Sequence, residues 1–239
     1  AHSTTQATNA LLEGDVCPVG IISVGSGIEG ARVKQEANIS GFKFENGKKL
    51  ETFHVHLDFA DLDEVRVNAV IDELIKGGAK SIVAVQAFSV ENPKYEKYVS
   101  ELAAKKGIPA VGTYEISGLL GLKVRTRTAV INASIMPKML ETANATEASI
   151  KKFGIKAPLM IMRSDGGVMS IDQMKKRPIL TILSGPAAGV ASALLYVKIS
   201  NGIFLEVGGT STDIALIRNG KALIKSAQIG GHKVFLRTL

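Results

Sequence analysis

The stretch from Ile203 to Ile217 limits the possible folds of this chain more than any other. It reads as an apolar run, then Gly208-Gly209-Thr210-Ser211-Thr212, then a second apolar run. Both flanks are short and rich in Ile, Leu, Val and Phe, which predicts two buried strands. Gly208 and Gly209 can adopt positive φ and bring bare backbone N–H groups close to a ligand. Thr210, Ser211 and Thr212 add hydroxyls, and Glu206 and Asp213 set a carboxylate on each side of the turn. Backbone donors suit an anion, and carboxylates suit a divalent cation. The stretch is not a Walker loop: it has no Gly-Lys-Ser/Thr, and a strand follows it instead of a helix. An ordinary tight hairpin is the plainer alternative. Two glycines, three hydroxyls and two acids in one turn favour a binding site over it.

Two other stretches carry chemistry. Leu159 to Met162 predicts a buried strand that delivers Arg163-Ser164-Asp165-Gly166-Gly167 at its end. Asp165 is then an acid, a metal ligand or a nucleotide contact, or else part of a plain Asp-Gly turn, and spacing does not separate these. Ile179 to Leu183 predicts another strand. Ser184 then caps a helix with Pro186 in its first turn. Ala187, Ala188 and Gly189 are small, so this helix can approach a sheet or a ligand closely. Its N-terminus has free N–H groups and a positive dipole end, which suit phosphate. Close packing without a ligand explains the same residues.

The 203–217 stretch resembles the phosphate hairpin of the actin, sugar-kinase and heat-shock-chaperone ATPases. Leu159 to Gly167 and Ser184 to Gly189 precede it in the right order, and the opening His2 to Glu13 fits the same pattern. Together they resemble the hydantoinase A/5-oxoprolinase family, ATP-dependent enzymes that open lactam and hydantoin rings. The resemblance implies an α/β fold of the ribonuclease-H-like, actin-like ATPase type. It implies two incomplete domains, an N-terminal region over 1–117 and a main region over 118–239. It implies ATP and Mg²⁺ as cofactors, and phosphorylation of a ring carbonyl oxygen followed by attack of water on the carbon. By the same resemblance Ser184, Gly185, Gly208, Gly209, Thr210, Ser211 and Thr212 hold the nucleotide. Glu206 and Asp213 hold the metal, and Asp165 and Asp213 serve catalysis. The implied partners are a small cyclic amide and a second, hydantoinase B-type subunit, in an oligomer. An ATP-dependent carboxylase subunit and a non-catalytic actin-like regulatory subunit are the alternatives. One departure stands out: the family usually has Asp where this chain has Glu206. The chain also holds only one such hairpin, where actin-like ATPases clamp phosphates between two. A fragment that binds ATP weakly by itself is the expectation.

Composition narrows the rest. The 239 residues are 46% hydrophobic and 21% charged, as in globular proteins. The single Cys17 excludes an internal disulfide and points to a reducing, cytoplasmic setting. No apolar run approaches the roughly 20 residues of a membrane span, and no signal peptide is visible. The net charge of +7 is scattered, aromatics are 5% and Trp is absent. A nucleic-acid groove would interleave basic and aromatic residues, so neither nucleic acid nor membrane is an expected partner.

Val19 to Val24 predicts a strand, followed by Gly25-Ser26-Gly27-Ile28-Glu29-Gly30. A dinucleotide site needs an amphipathic helix there. Ala31 to Ser40 shows no clear stripe, so a mobile surface loop is expected. His54 and His56 share one face of a strand predicted over 48–59, with no third metal ligand in sight. Thr4 to Leu12 predicts a helix. Residues 61–113 predict helix, strand, helix, strand, with Asp61 opening the first helix, which makes a parallel α/β layer. A long helix containing Pro137 is predicted from about Lys123 to Lys152. Asn219-Gly220 predicts a tight turn, and Lys221 to Ala227 a third strand after the hairpin.

Overall fold

Val19–Val24 (β1) is buried along its whole length, as a strand covered on both faces must be. In the computed structural model, which describes residues 2–208 and 212–239, it lies inside a four-stranded sheet. The order is β2-β1-β3-β4, with β2 Thr52–Leu57, β3 Ser81–Gln86 and β4 Ala110–Gly112, all parallel. Alternation along β1 and β3 divides two cores. Val19, Ile21, Val83 and Val85 pack towards α1 (Gln6–Glu13), α2 (Gly27–Ala37) and α6 (Leu122–Lys152). Ile22, Val24, Ile82 and Ala84 pack towards α3 (Glu64–Lys76) and α4 (Lys94–Lys105). Each such side chain stabilises the fold by about 1.5–3 kcal/mol when fully buried. A short α5 (Thr113–Ile116) leads into α6, whose 31 residues run through Pro137.

The surface loop expected after Gly25 is instead helix α2. Its buried positions are Gly30, Val33 and Ala37, a helical spacing. The stripe escapes a count of apolar residues because one of its three members is glycine. A Cβ at Gly30 would stand 2.5 Å from the Gly25 carbonyl oxygen, so the helix meets the strand end backbone to backbone. Asp61 does not open α3 either. It ends a short 3-10 turn, and the Asp63 carboxylate caps α3 by accepting from Arg66 N–H at 2.7 Å.

His54 and His56 do share a face, and Ser23 links them. Ser23 Oγ lies 2.8 Å from His54 Nε2 and 2.9 Å from His56 Nδ1. His56 Nε2 lies 3.1 Å from the Gly25 carbonyl, so that nitrogen carries the hydrogen and donates. In the neutral ring Nδ1 then accepts from the Ser23 hydroxyl, and Ser23 Oγ accepts from His54 Nε2–H. Burial lowers the His54 pKa to about 4. The described residues contain no group of three His, Cys, Asp or Glu able to hold a metal.

Beyond α6, β5 (Met160–Met162) and β6 (Val168–Ser170) form an antiparallel hairpin, and α7 (Ile171–Lys176) follows. The strand expected over 179–183 is a 3-10 turn from Pro178 to Thr181. Pro178 removes one ladder donor, and the next N–H, of Ile179, goes to Asn132 Oδ1 on α6. Helix α8 (Ser184–Val197) leads to β7 (Gly202–Val207), β8 (Thr212–Arg218) and β9 (Lys221–Ala222), an antiparallel sheet. Its first two strands are not buried as their apolar runs predict, because the face carrying Ile203, Leu205, Val207, Ile214 and Leu216 is left exposed among the described residues. Asn219 and Gly220 both have positive φ, as the turn chemistry predicts. The expected third strand stops at Ala222, and a new strand, β10 (Lys225–Ile229), pairs with β11 (His232–Thr238). Among the described residues no helix is long and apolar enough to cross a membrane.

Candidate functional site

The opening segment joins β5 to the start of α8, and the β7–β8 ladder turns one face to that helix. His2 pairs with β5 as a parallel bridge: its N–H donates to Met160 O at 2.7 Å, and its carbonyl accepts from Met162 N–H at 2.8 Å. One residue further on, Ser3 Oγ lies 3.2 Å from Ser184 Oγ, which donates to Thr4 O, also at 3.2 Å. Thr8 Oγ1 accepts from Leu183 N–H at 2.9 Å. Leu183 has φ of 58°, a left-handed conformation that is unusual for a non-glycine residue.

Ser184 is therefore not the expected cap. It is the first residue of α8, wholly buried, and its hydroxyl is spent on the opening segment. The cap position falls to Leu183, which makes no side-chain hydrogen bond to the helix. The first turn thus keeps N–H groups with no side-chain cap. A Cβ at Gly185 would come no closer to another residue than 3.9 Å, from Ser3 Oγ, so the backbone there is open to approach.

Glu206 and Asp213 stand directly opposite each other in the β7–β8 ladder. Opposite residues of an antiparallel pair project on one face. That face is turned to α8: a Cβ at Gly189 would lie 2.5 Å from Glu206 Oε2 and 3.0 Å from Phe204 Cζ. Asp213 lines a cavity of about 180 Å³ with Leu183, Pro186, Val190 and Phe204. The Val207–Thr212 pair closes the ladder, and Gly208 follows with its backbone exposed. Gly209, Thr210 and Ser211 lie outside the described residues.

Asp165 has a different setting. Its carboxylate pairs with the Arg163 guanidinium and accepts from Gly167 N–H at 3.1 Å. It lines another cavity, between the 163–167 turn and β11, and not the one beside Asp213. Leu239 adjoins both regions, since its N–H donates to Ser164 O and its side chain borders the Asp213 cavity. Burial pushes the Cys17 thiol up, away from a reactive thiolate.

The link between Gly189 and Glu206, and that between Thr8 and Leu183, had no sequence signal beyond glycine and threonine in small-residue stretches. A buried network around Glu96 was also unforeseen. Glu96 accepts from Gln86 N–H at 2.7 Å, Thr113 Oγ1–H at 2.6 Å and Tyr114 N–H at 2.9 Å. Arg125 Nε donates to the same Thr113 hydroxyl at 2.8 Å, which ties α6 to the ends of β3 and β4.

The family model for the hydantoinase/oxoprolinase N-terminal region matches residues 1–107, and the hydantoinase/oxoprolinase model matches residues 125–239. The chain belongs to the hydantoinase/oxoprolinase family. Among relatives, it is 25% identical to the caprolactamase subunit alpha of Pseudomonas jessenii over 92% of this chain and 34% of that subunit. The crystal structure of the ATP-dependent caprolactamase from that organism superposes with a TM-score of 0.67 at 25% identity, over 90% of this chain and 34% of the other. A nucleotide-free acetone carboxylase structure, described under ATP-dependent acetone carboxylation, gives a TM-score of 0.72 at 23% identity, over 99% of this chain and 37% of the other. The fold is thus the mixed α/β, actin-like ATPase class expected of this family. The chain spans about a third of the length of these relatives.

Proposed function

We propose that this hydantoinase/oxoprolinase family chain belongs to an ATP-dependent enzyme that hydrolyses a cyclic amide, a hydantoin or a 5-oxoproline-like lactam. The ring carbonyl oxygen takes the γ-phosphoryl group of ATP and ADP departs. Water adds to the activated carbon, and the C–N bond breaks as the ring nitrogen takes the electron pair and a proton. A second water then displaces phosphate, with the original carbonyl oxygen, from the resulting acyl phosphate. Phosphoryl transfer depends on positioning and charge neutralisation. The observation that carries this reading is the Glu206–Asp213 pair, two carboxylates on one face near Gly208 and the open first turn of α8. Mg²⁺ in nucleotide sites is held by one or two carboxylates plus substrate phosphates. This pair fits that need, and the ion would supply charge neutralisation. Gly208 to Thr212 and the Ser184-Gly185 backbone would face the phosphates. Asp165 would orient the substrate or water from the 163–167 turn. The division near Ser117, a B-type second subunit, an oligomeric assembly and a reducing cytoplasmic setting belong to the same reading.

The second reading is an ATP-dependent carboxylase subunit, favoured by the likeness to acetone carboxylase over 99% of the chain. A panel of hydantoins and lactams, run with the intact enzyme and its partner subunit, separates the two. Phosphate release that tracks ring opening without bicarbonate supports the amidohydrolase. Turnover only with bicarbonate supports the carboxylase, and ATP turnover coupled to neither supports the regulatory alternative.

A further inference from the structure

A second concave surface lies where the 163–167 turn faces β11. It encloses about 420 Å³, and its polar lining is dominated by Arg163, Arg177, Lys233 and Arg237, with Asp165 the one carboxylate. The walls are fixed from behind. Ser164 N–H donates to Leu180 O at 2.8 Å, and Leu239 N–H to Ser164 O at 3.0 Å. On the other wall, Phe235 N–H donates to Thr128 Oγ1 at 2.9 Å, and Arg127 donates to Lys233 O at 3.2 Å. Along β11, Val234 and Leu236 are buried in the core, so Lys233, Phe235 and Arg237 project on the opposite face.

The charges in this cleft do not balance. Arg163 is paired with Asp165, whereas Arg177, Lys233 and Arg237 make no ion pair among the described residues. Arg163 Nε is buried and has no acceptor among them either. Buried donors normally find a partner, and one without calls for an ion, a water or a ligand. Guanidinium groups match carboxylate and phosphate oxygens in a bidentate geometry. The Arg163–Asp165 pair shows the cleft already accommodating one carboxylate.

We propose that this cleft is a binding site for a small anion carrying two or more negative charges, separate from the nucleotide phosphate site. A polycarboxylate and a phosphate ester share the needed chemistry. Arg177 and Arg237 grip the oxyanions, and Lys233 adds long-range attraction.

The test is calorimetric titration of the intact enzyme with citrate and, separately, with pyrophosphate. Arg177→Gln, Arg237→Gln and the double variant are compared with Lys97→Gln on α4, outside the cleft. Thermal midpoints check folding, and Arg237→Gln, an exposed change, guards against misfolding. Saturable binding of either probe, weakened about tenfold or more by each arginine change and unmoved by Lys97→Gln, is the expected result. Preference for citrate over pyrophosphate, or the reverse, assigns the ligand to carboxylates or phosphates. Equal binding by wild type and the double variant overturns the proposal. So does an equal loss of ATP affinity in the variants, because the cleft would then be part of the nucleotide site.

Discussion

Gly189 and Glu206 occupy one another's space: the room a β-carbon would fill on α8 is taken by the Glu206 carboxylate. The extra methylene that glutamate has over aspartate carries the carboxylate to the helix. Gly189→Ala should displace it. The carboxylate is the flexible end of an exposed side chain, Phe204 Cζ at 3.0 Å must also give way, and alanine gains about 1 kcal/mol over glycine within a helix, so the net loss should stay below about 1 kcal/mol. Glu206→Asp shortens the arm and should recover much of the loss. A double-mutant cycle on thermal stability checks this, and additive effects would show that the two residues do not interact.

The metal role of the carboxylate pair has its own test. Glu206→Gln and Asp213→Asn should weaken Mg²⁺-dependent turnover of the intact enzyme more than nucleotide affinity, whereas Glu206→Asp is tolerated. Turnover against Mg²⁺ concentration measures it. A wild-type profile for Glu206→Gln would leave Glu206 a packing residue only.

Gly209→Val should abolish nucleotide binding by blocking the approach of phosphate to the backbone, with the fold retained. Calorimetric ATP affinity decides, and an unchanged value removes the hairpin from the nucleotide site.

Acid should loosen the parallel sheet. Burial holds the His54 pKa at about 4, against an ordinary 6.5. As pH falls, the unfolded chain therefore takes up this proton first. The stability His54 contributes is complete above 6.5 and is lost as pH falls through 4. His54→Gln keeps a donor for Ser23 but cannot titrate, so its thermal midpoint should fall less steeply over that window. Equal slopes would place the acid sensitivity elsewhere.

The sequence made the parallel layer and the long helix legible because strong local signals agreed with the packing there. The apolar run 19–24 is strand β1, and the helix predicted over Thr4 to Leu12 corresponds to α1. Errors arose where tertiary contact overrode local pattern. Helix α2 was hidden because backbone contact at Gly30 replaces side-chain burial. The 178–181 turn was read through as a strand because Asn132, from a distant helix, takes its N–H. In the candidate site the motifs were readable, and the joining of the opening segment to α8 depended on long-range hydrogen bonds such as Thr8 to Leu183 and Ser184 to Thr4. The cationic cleft had no signal at all, since Arg163, Arg177, Lys233 and Arg237 come from separate elements.

The most direct measurement follows the oxygen. The intact enzyme, with its partner subunit, is given ATP and a ring substrate whose amide carbonyl carries a heavy-oxygen label. Phosphorylation makes that oxygen the bridging oxygen of the acyl phosphate formed as the ring opens, and attack of a second water at carbon releases it in inorganic phosphate, which is the predicted result. Label retained wholly in the product carboxylate, with unlabelled phosphate released, would contradict this route.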